Sequence, residues 1–426
     1  MKRNGATITE TRSEVYLVRS RGPRRHTSRP ILAAAVAVFA MGIAVAPGYA
    51  TEGAYLTGLD ALHLQRAGGG AASPRSAAWM VVNPAGLTTL ESGADMSLLT
   101  VRGRTNVTMR GVSSNWVAGH LESDVLAFVP SGGVVWRDDR NAWALGFYVP
   151  AASATDYPDS RNLFSELFFG NRDRRLTYQH LRLVGAYARA FDNGWSVGLG
   201  LHGSVSRLRT DHLTLNLTPT AGDNAWDETP GFGFGLGVLK EWDRFAFGVG
   251  YVSRHWVGDL DTYEDLVPYN VELPQTVQAG VAWRVTPRFE VTADYKWIDW
   301  TDTRIFGTSV HRNSLDWADQ HIVKLGLEWR ALERVAFRAG WSHGNTPIDR
   351  DHAFVSALTP ATFEDQIAFG VSWNVADGQS LHVTALYAFP HTVRDSGTGD
   401  FFSVQAGGSA VTSRLEAVAF GYSIAF

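Results

Sequence analysis

From Ala417 to the terminal Phe426, bulky and small residues alternate without a break. Val418, Phe420, Tyr422, Ile424 and Phe426 share one face, and Ala417, Ala419, Gly421, Ser423 and Ala425 share the other. Successive side chains of a strand point to opposite faces, so this segment is a strand with one bulky apolar side. The division recurs upstream. Val277, Ala279, Val281, Trp283 and Val285 alternate with Gln278, Gly280, Ala282 and Arg284, and Phe289 to Trp297 alternates with Glu290, Thr292, Asp294 and Lys296. His321–Trp329 and Val335–Trp341 repeat it with Lys324, Glu328 and Arg338 on the polar face. Periodicity alone leaves two architectures open: a soluble sandwich with a wet outer face, or a barrel with an apolar exterior and a wet lumen.

The N-terminus bears on that choice. Lys2 to Arg29 is polar and basic, Ile31 to Ala46 is apolar, and Gly48-Tyr49-Ala50 follows. A basic region, an apolar core and a small-x-small end describe a secretory signal over residues 1–50, with cleavage expected after Ala50. Beyond it no apolar run approaches the ~20 residues of a spanning helix. A membrane protein with this sequence must therefore be a closed β-barrel, because lipid satisfies no unpaired backbone group.

Three features favour the barrel. The alternating segments match the ~9–11 residues of a tilted membrane strand. Aromatics sit near strand ends, at Trp283, Trp297, Trp300, Trp329 and Trp341, where interfacial girdles belong. Tight turns, such as Asp192-Asn193-Gly194, Thr286-Pro287 and Asp377-Gly378, alternate with long links over 151–176, 210–230, 257–273, 300–319, 343–361 and 390–412. The expectation is an all-β fold: an antiparallel transmembrane barrel of about fourteen strands over residues 91–426, from near Ala94 to Phe426, with the arrangement between Thr100 and Val134 left open.

Residues 51–90 have a different texture. They contain Gly53-Ala54-Tyr55-Leu56, the run Arg66-Ala67-Gly68-Gly69-Gly70-Ala71-Ala72, and Asn83-Pro84-Ala85-Gly86-Leu87, with no period of two. Small residues allow close backbone packing and Asn-Pro favours a turn. About forty compact residues ahead of a barrel pattern are expected to fold inside it as a plug.

The Gly-rich run followed by Asn83-Pro84-Ala85-Gly86-Leu87 resembles the hatch of the FadL/TodX-type outer-membrane transporters of hydrophobic compounds. Trp143–Pro150, Trp195–Gly200 and Leu273–Val277 are also similar to stretches of that family. Ser73-Pro74-Arg75-Ser76 departs from the acidic residues that family carries before the Asn-Pro motif. The resemblance implies a fourteen-stranded barrel in the outer membrane of a Gram-negative cell, plugged by the hatch. It implies capture of a hydrophobic molecule in an outer groove, a deeper pocket beside the hatch N-terminus, a hatch shift, and lateral release through the wall. By position Gly53, Ala54, Tyr55 and Leu56 border the pocket, Asn83, Pro84 and Ala85 anchor the hatch, and Pro150 marks the wall opening, with Gly132-Gly133 as a rival kink. Relatives that carry fatty acids place cations near the pocket; His212 and Ala318 hold those positions here, which favours an uncharged cargo such as a hydrocarbon or aromatic over a long-chain fatty acid.

Other functions find little support. A net charge of -4 offers no basic surface for nucleic acid, and with no cysteine there is neither a disulfide nor a thiolate. The histidines lack metal-ligand spacing and no nucleophile or phosphate motif occurs, so no catalytic residue, metal or cofactor is expected. Loop 151–176 is more informative. Leu163, Phe164, Leu167 and Phe168, with Phe169 beside them, form an apolar face at helical spacing where an exposed loop should be polar. They are expected to form the capture groove. The expected partners are the hydrophobic cargo, outer-membrane lipid and lipopolysaccharide, and the barrel-assembly machinery through Phe426, around a monomer. The rival reading is a structural or adhesive barrel with partner-binding loops; an open polar-solute porin is a third.

Overall fold

The computed structural model describes residues 52–110, 119–158, 174–210, 225–263, 270–307, 314–399 and 401–426. The expected signal segment, the loop residues Leu163, Phe164, Leu167, Phe168 and Phe169, and His212 lie outside the described residues.

Fourteen long strands close into an antiparallel barrel. They are β1 (Gly93–Thr108), β2 (His120–Arg137), β3 (Asn141–Tyr157), β4 (Arg174–Ala190), β5 (Trp195–Thr210), β6 (Asp227–Glu241) and β7 (Phe245–Val252), then β9 (Thr276–Thr286), β10 (Phe289–Ile298), β11 (Gln320–Leu332), β12 (Val335–Gly344), β13 (Asp365–Ala376), β14 (Gln379–Arg394) and β15 (Ala410–Ala425). A two-residue strand, β8 (Trp256–Val257), pairs with β6 beside them. The seam joins β1 to β15 from Gly93↔Ala425 to Thr108↔Ala410. The alternation in the sequence is the inside–outside division of this wall: Val418 and Phe420 are exposed, while Ala417 and Ala419 are buried.

Several strands outrun the 9–11 residues of a membrane crossing: β2 has 18 and β3 has 17. The expected long links shorten accordingly. Strand β3 continues seven residues past Pro150, and β14 runs to Arg394. Of the stretch between Thr100 and Val134, the described residues form the end of β1 and most of β2. A tight turn missed in the sequence joins β2 to β3, where Asp138 Oδ1 accepts from the Arg140 and Asn141 N–H groups. A short aspartate at the start of a turn is the signal for it.

One girdle assignment is corrected. Trp143, Trp195, Trp242, Trp283, Trp329 and Trp373 do form an exposed aromatic belt near the tight-turn end. Trp300 does not belong to any belt: it is fully buried inside the barrel mouth, where its indole N–H donates to Gln320 Oε1 at 2.9 Å. The chain leaves β10 at Ile298 and turns inward, taking the indole into an apolar cluster with Trp317 and Phe306.

Candidate functional site: the luminal segment and the gap in the wall

Residues 52–90 lie inside the barrel, and almost all of them are buried. Their lower part is held by charge. Arg66 Nη2 lies 2.7 Å from Glu328 Oε2 and 3.3 Å from Glu290 Oε1; Arg75 Nε and Nη2 reach the same two carboxylates at 2.8 Å each, and Arg338 Nε meets Glu328 at 2.7 Å. Burial pushes the Arg75 guanidinium down, but Glu328 and Glu290 outweigh it and hold it above its ordinary value. The polar strand faces seen in the sequence thus meet charges carried by the segment they enclose. The Gly-rich run is read through its backbone. Gly70 and Ala71 N–H groups donate to the Asp294 carboxylate at 2.8 and 2.7 Å, and Gln278 Nε2 donates to Gly68 O.

Asn83, Pro84 and Ala85 sit on the β5–β7 wall. Asn83 Nδ2 donates to Ala71 O at 2.9 Å and to Val238 O at 3.1 Å, while its Oδ1 caps the 3-10 turn Pro84–Thr89 by accepting from Ala85 N–H. Gly250 faces this turn so closely that a Cβ would run into the Val82 carbonyl. His63 holds the preceding loop as a neutral ring. Its Nε2–H donates to Gly68 O at 2.9 Å and its Nδ1 accepts from Leu59 N–H at 3.3 Å. Burial, reinforced by Lys324 and Lys296, lowers its pKa to about 3.

The N-terminal end is built differently. Glu52 and Tyr55 close a turn by two backbone bonds, 2.9 and 3.0 Å, with Gly53 at φ +64°. The Trp300 indole lies against Gly53, so a side chain there meets both backbone strain and a ring. Glu52 is buried between Lys296, at 2.6 Å, and Lys324. Burial pushes its carboxyl up, yet the two lysines together keep it below the ordinary carboxylate value. Beyond the turn, Leu56 N–H donates to Pro150 O at 2.9 Å and Ala152 N–H donates to Ala54 O at 3.1 Å. Gly53, Ala54, Tyr55, Leu56 and Pro150 are therefore brought together, whereas Asn83, Pro84 and Ala85 lie elsewhere on the wall.

That contact falls where the barrel is incomplete. Strand β2 pairs with β1 from His120 to Val135, and β3 pairs with β4 along nearly its whole length. Between β2 and β3 the ladder covers only Gly132↔Phe147 to Arg137↔Ala142. The register of β3 against β4 shifts between Tyr148 and Ala151, and from Tyr148 to Thr155 every residue is buried. The strand has bent inward. Pro150 has no N–H to give and sits at the bend, as prolines in sheets do. Above the gap, Asp156 N–H donates to Ser123 Oγ at 2.9 Å. Both Gly132 and Pro150 thus border the opening, Gly132 at its lower end and Pro150 at its side.

Two apolar clusters meet at this point. One, above the segment, contains Ala54, Tyr55, Tyr178, Trp300, Phe306 and Trp317. The other contains Leu56, Ala127, Val129, Val149 and Ala152, and so reaches the gap. Tyr55 and Leu56 stand side by side between them. A cavity of about 50 Å³ adjoins both residues, Pro150, Lys296 and Arg182. The opposite end of the lumen is polar: a cavity of about 560 Å³ is lined by Arg75, Glu328, Arg334, Arg338 and Asp95 among others. Ala318 is an exposed loop residue outside the lumen, its N–H donating to Pro347 O at 2.8 Å. The polar groups the sequence reading passed over are Arg182 and His180. They lie on the buried face of β4, and the alternation of that strand is the signal that places them inside.

A closed fourteen-stranded barrel with an apolar exterior, a filled lumen and a gap in its wall defines an outer-membrane transport protein. The sequence profile of the outer membrane protein transport protein family, OMPP1/FadL/TodX, matches residues 42–426, and the chain belongs to that family. Among solved structures it is similar to the P. putida toluene transporter TodX, with 16% identity and a TM-score of 0.68 over 87% of this chain and 99% of that one. It is also similar to a Pseudomonas aeruginosa FadL homologue, with 13% identity and a TM-score of 0.65 over 88% and 100%. The Ralstonia pickettii toluene transporter TbuX gives 16% identity and a TM-score of 0.63 over 87% and 99%. No curated protein matches the chain by sequence. The protein resides in the outer membrane.

Proposed function

We propose that this protein is a passive channel for hydrophobic small molecules, in which residues 51–90 act as a hatch and the cargo leaves sideways between β2 and β3. The observation that carries the reading is the gap itself. An unpaired sheet edge facing hydrocarbon leaves backbone donors and acceptors unsatisfied, at several kcal/mol each by order of magnitude. A gap retained at that cost, and lined by Leu56, Val129 and Val149, fits the passage of apolar cargo. The polar lower cavity argues against a straight route through the lumen for such a molecule. The cargo that two relatives are named for, toluene, is in keeping with the same class.

In this scheme cargo collects in the upper apolar cluster, with Leu163, Phe164, Leu167, Phe168 and Phe169 as the capture groove. The Gly53–Leu56 strand then shifts from Pro150, joining the upper cluster to the gap. Binding and release need no chemistry, cofactor or catalytic residue. A monomer surrounded by lipid and lipopolysaccharide, assembled by recognition of Phe426, belongs to the same proposal.

Narrowing the gap tests it. Ala127→Trp and Ala152→Trp, each checked for heat-modifiable folding on a gel, should cut uptake of labelled hydrophobic compounds at least severalfold in a strain lacking other routes. Uptake equal to wild type in both folded variants would defeat lateral release. If deleting the wild-type gene leaves uptake of labelled hexadecane and of labelled oleate unchanged, the transport role falls and an adhesive or structural barrel takes its place.

A further inference from the structure

The outer face of β5 starts at Trp195, in the belt at the tight-turn end, and climbs through Val197, Leu199, Leu201 and Val205, all of them exposed. Charge begins above them, at Arg207 and Arg209. Arg207 stands about twelve residues beyond Trp195; at ~3.3 Å per residue and a strand tilt of about 40° that is a rise of about 30 Å, against an apolar band of about 25 Å. Tight turns mark the periplasmic end, so the two arginines stand just above the hydrocarbon on the outer side, at the level of head-group phosphates.

The two guanidiniums are held together. Each has its Cζ 4.6 Å from the centre of the Trp226 indole, which immediately precedes β6. Arg207 is oriented further: its Nε donates to Gln179 Oε1 of β4 at 2.6 Å, and Glu228 lies 3.7 Å from its Nη1. Arg209 has no ion pair among the described residues. Two cations gathered on one ring repel each other, and an anion placed between them turns that repulsion into attraction. Stacking uses the flat face of a guanidinium and leaves its in-plane N–H edge, the edge that matches two oxygens of a phosphate, for another partner. The far side of the gap supplies the contrast. Arg102 follows Leu98 on the outer face of β1, but its Nε and Nη2 close on Asp124 at 2.8 and 2.6 Å, and Arg104 Nε reaches the same carboxylate at 3.2 Å.

We infer that Arg207, Arg209 and Trp226 form a site on the outer wall for a phosphate group of lipopolysaccharide, whose acyl chains lie down the Leu201–Val205 face. The site rests on the outer-membrane location and on the lipopolysaccharide contact proposed above, and gives that contact an address. A pair of guanidiniums favours a phosphate monoester, which carries up to two charges, over the single charge of a phosphodiester lipid. The indole between them supplies the amphipathic anchor that suits this depth.

The test uses the mature protein, purified in detergent and freed of lipid, with native mass spectrometry counting the molecules bound. The probes are hexa-acyl lipid A with both phosphates, the same lipid A without phosphate, and phosphatidylglycerol. Wild type should hold the phosphorylated lipid A at least about tenfold more tightly than either of the others. Arg207→Gln combined with Arg209→Gln should weaken it at least about tenfold, the effect of losing charge-assisted hydrogen bonds, and leave the phosphate-free form within about twofold. Arg209→Lys keeps the charge without the planar fork and should fall between. Arg102→Gln, at a guanidinium already closed on Asp124, should change binding less than about twofold. Each variant is checked for heat-modifiable folding. The site is overturned if the folded double variant binds phosphorylated lipid A as wild type does, or if Arg102→Gln weakens it as much as the double variant. Wild type that holds phosphatidylglycerol or phosphate-free lipid A as tightly as the phosphorylated form overturns it as well. No readout here involves cargo, so each of these results leaves the channel reading standing, and a failure of hydrocarbon uptake leaves the site standing.

Discussion

Two stretches of the luminal segment, Gly53–Leu56 and Arg66–Thr89, are secured by different physics. From Arg66 to Thr89 it is fastened by buried ion pairs, by carboxylate contacts to backbone N–H groups and by a turn pressed onto Gly250. From Gly53 to Leu56 it is held by two backbone bonds to β3, the Tyr55 hydroxyl on Pro274 O, and an indole resting on a glycine. Breaking the first set strands several charges in a dry interior; freeing Gly53 to Leu56 costs a few ordinary hydrogen bonds so long as Glu52, just before them, keeps Lys296 and Lys324. A segment built this way is fastened by charge at its base and at Glu52, and the stretch held by the fewest strong contacts, Gly53 to Leu56, is the part beside the gap.

The largest effect should come from the base. Glu328→Gln leaves Arg66 and Arg75 to share the Glu290 carboxylate and takes from Arg338 the carboxylate it meets, a loss of about 3–5 kcal/mol for a buried pair broken on one side. Ion conductance across planar bilayers should rise above that of wild type as the base loosens. Unchanged conductance in a folded variant would show that the base is secured by other contacts. In the Gly53–Leu56 stretch, Gly53→Ala combines positive φ with a methyl against Trp300, for about 1–3 kcal/mol. Hydrogen exchange at Leu56 and Ala152 should accelerate while the amides near Asn83 stay protected. Acceleration in both stretches would mean that they move as one body. Asn83→Ala removes two donors and a cap, about 1–2 kcal/mol, and its effect should stay in the base.

The smallest change is in pH. His63 is neutral when folded, with a pKa of about 3 against an ordinary 6.5, because burial and two lysines oppose its charge. Its contribution to holding the loop is complete above 6.5 and is lost progressively as pH falls towards 3. Asp60, pushed up by burial, titrates in the opposite sense, so the comparison is between wild type and His63→Gln. Exchange at the Gly68 and Gly69 amides should rise on acidification in wild type and less steeply in the variant. Parallel slopes would remove His63 as the cause.

Much of the wall was legible in the sequence. Period-two alternation, as in Val418–Phe426, fixes which side of each strand faces out, and the tight turns set the pairing order. The family followed from the Gly-rich run and Asn83-Pro84-Ala85. Less legible was anything that depends on how far a strand keeps its neighbour. The β2–β3 ladder stops at Gly132 although β2 goes on pairing with β1 as far as His120, because the cause is the bend at Pro150 on the other lip. Trp300 was misread as an interfacial aromatic, since two residues beyond a strand end a chain can turn inward or outward with equal sequence signals. Arg182 and His180 were passed over although the alternation of β4 places them inside, because what a luminal side chain meets comes from distant strands and from the segment the barrel encloses.

Closed barrels normally leave no strand edge for another chain to join; this one keeps two, along the gap. Each carries a proline, Pro130 on β2 and Pro150 on β3, and the inner lip is already engaged by Leu56 and Ala54. A ladder needs a donor from both partners at regular intervals, and each lip interrupts that series. In a membrane crowded with other β-barrels these two prolines also keep neighbouring strands from stitching onto the wall, so a gap there need not become a site of aggregation.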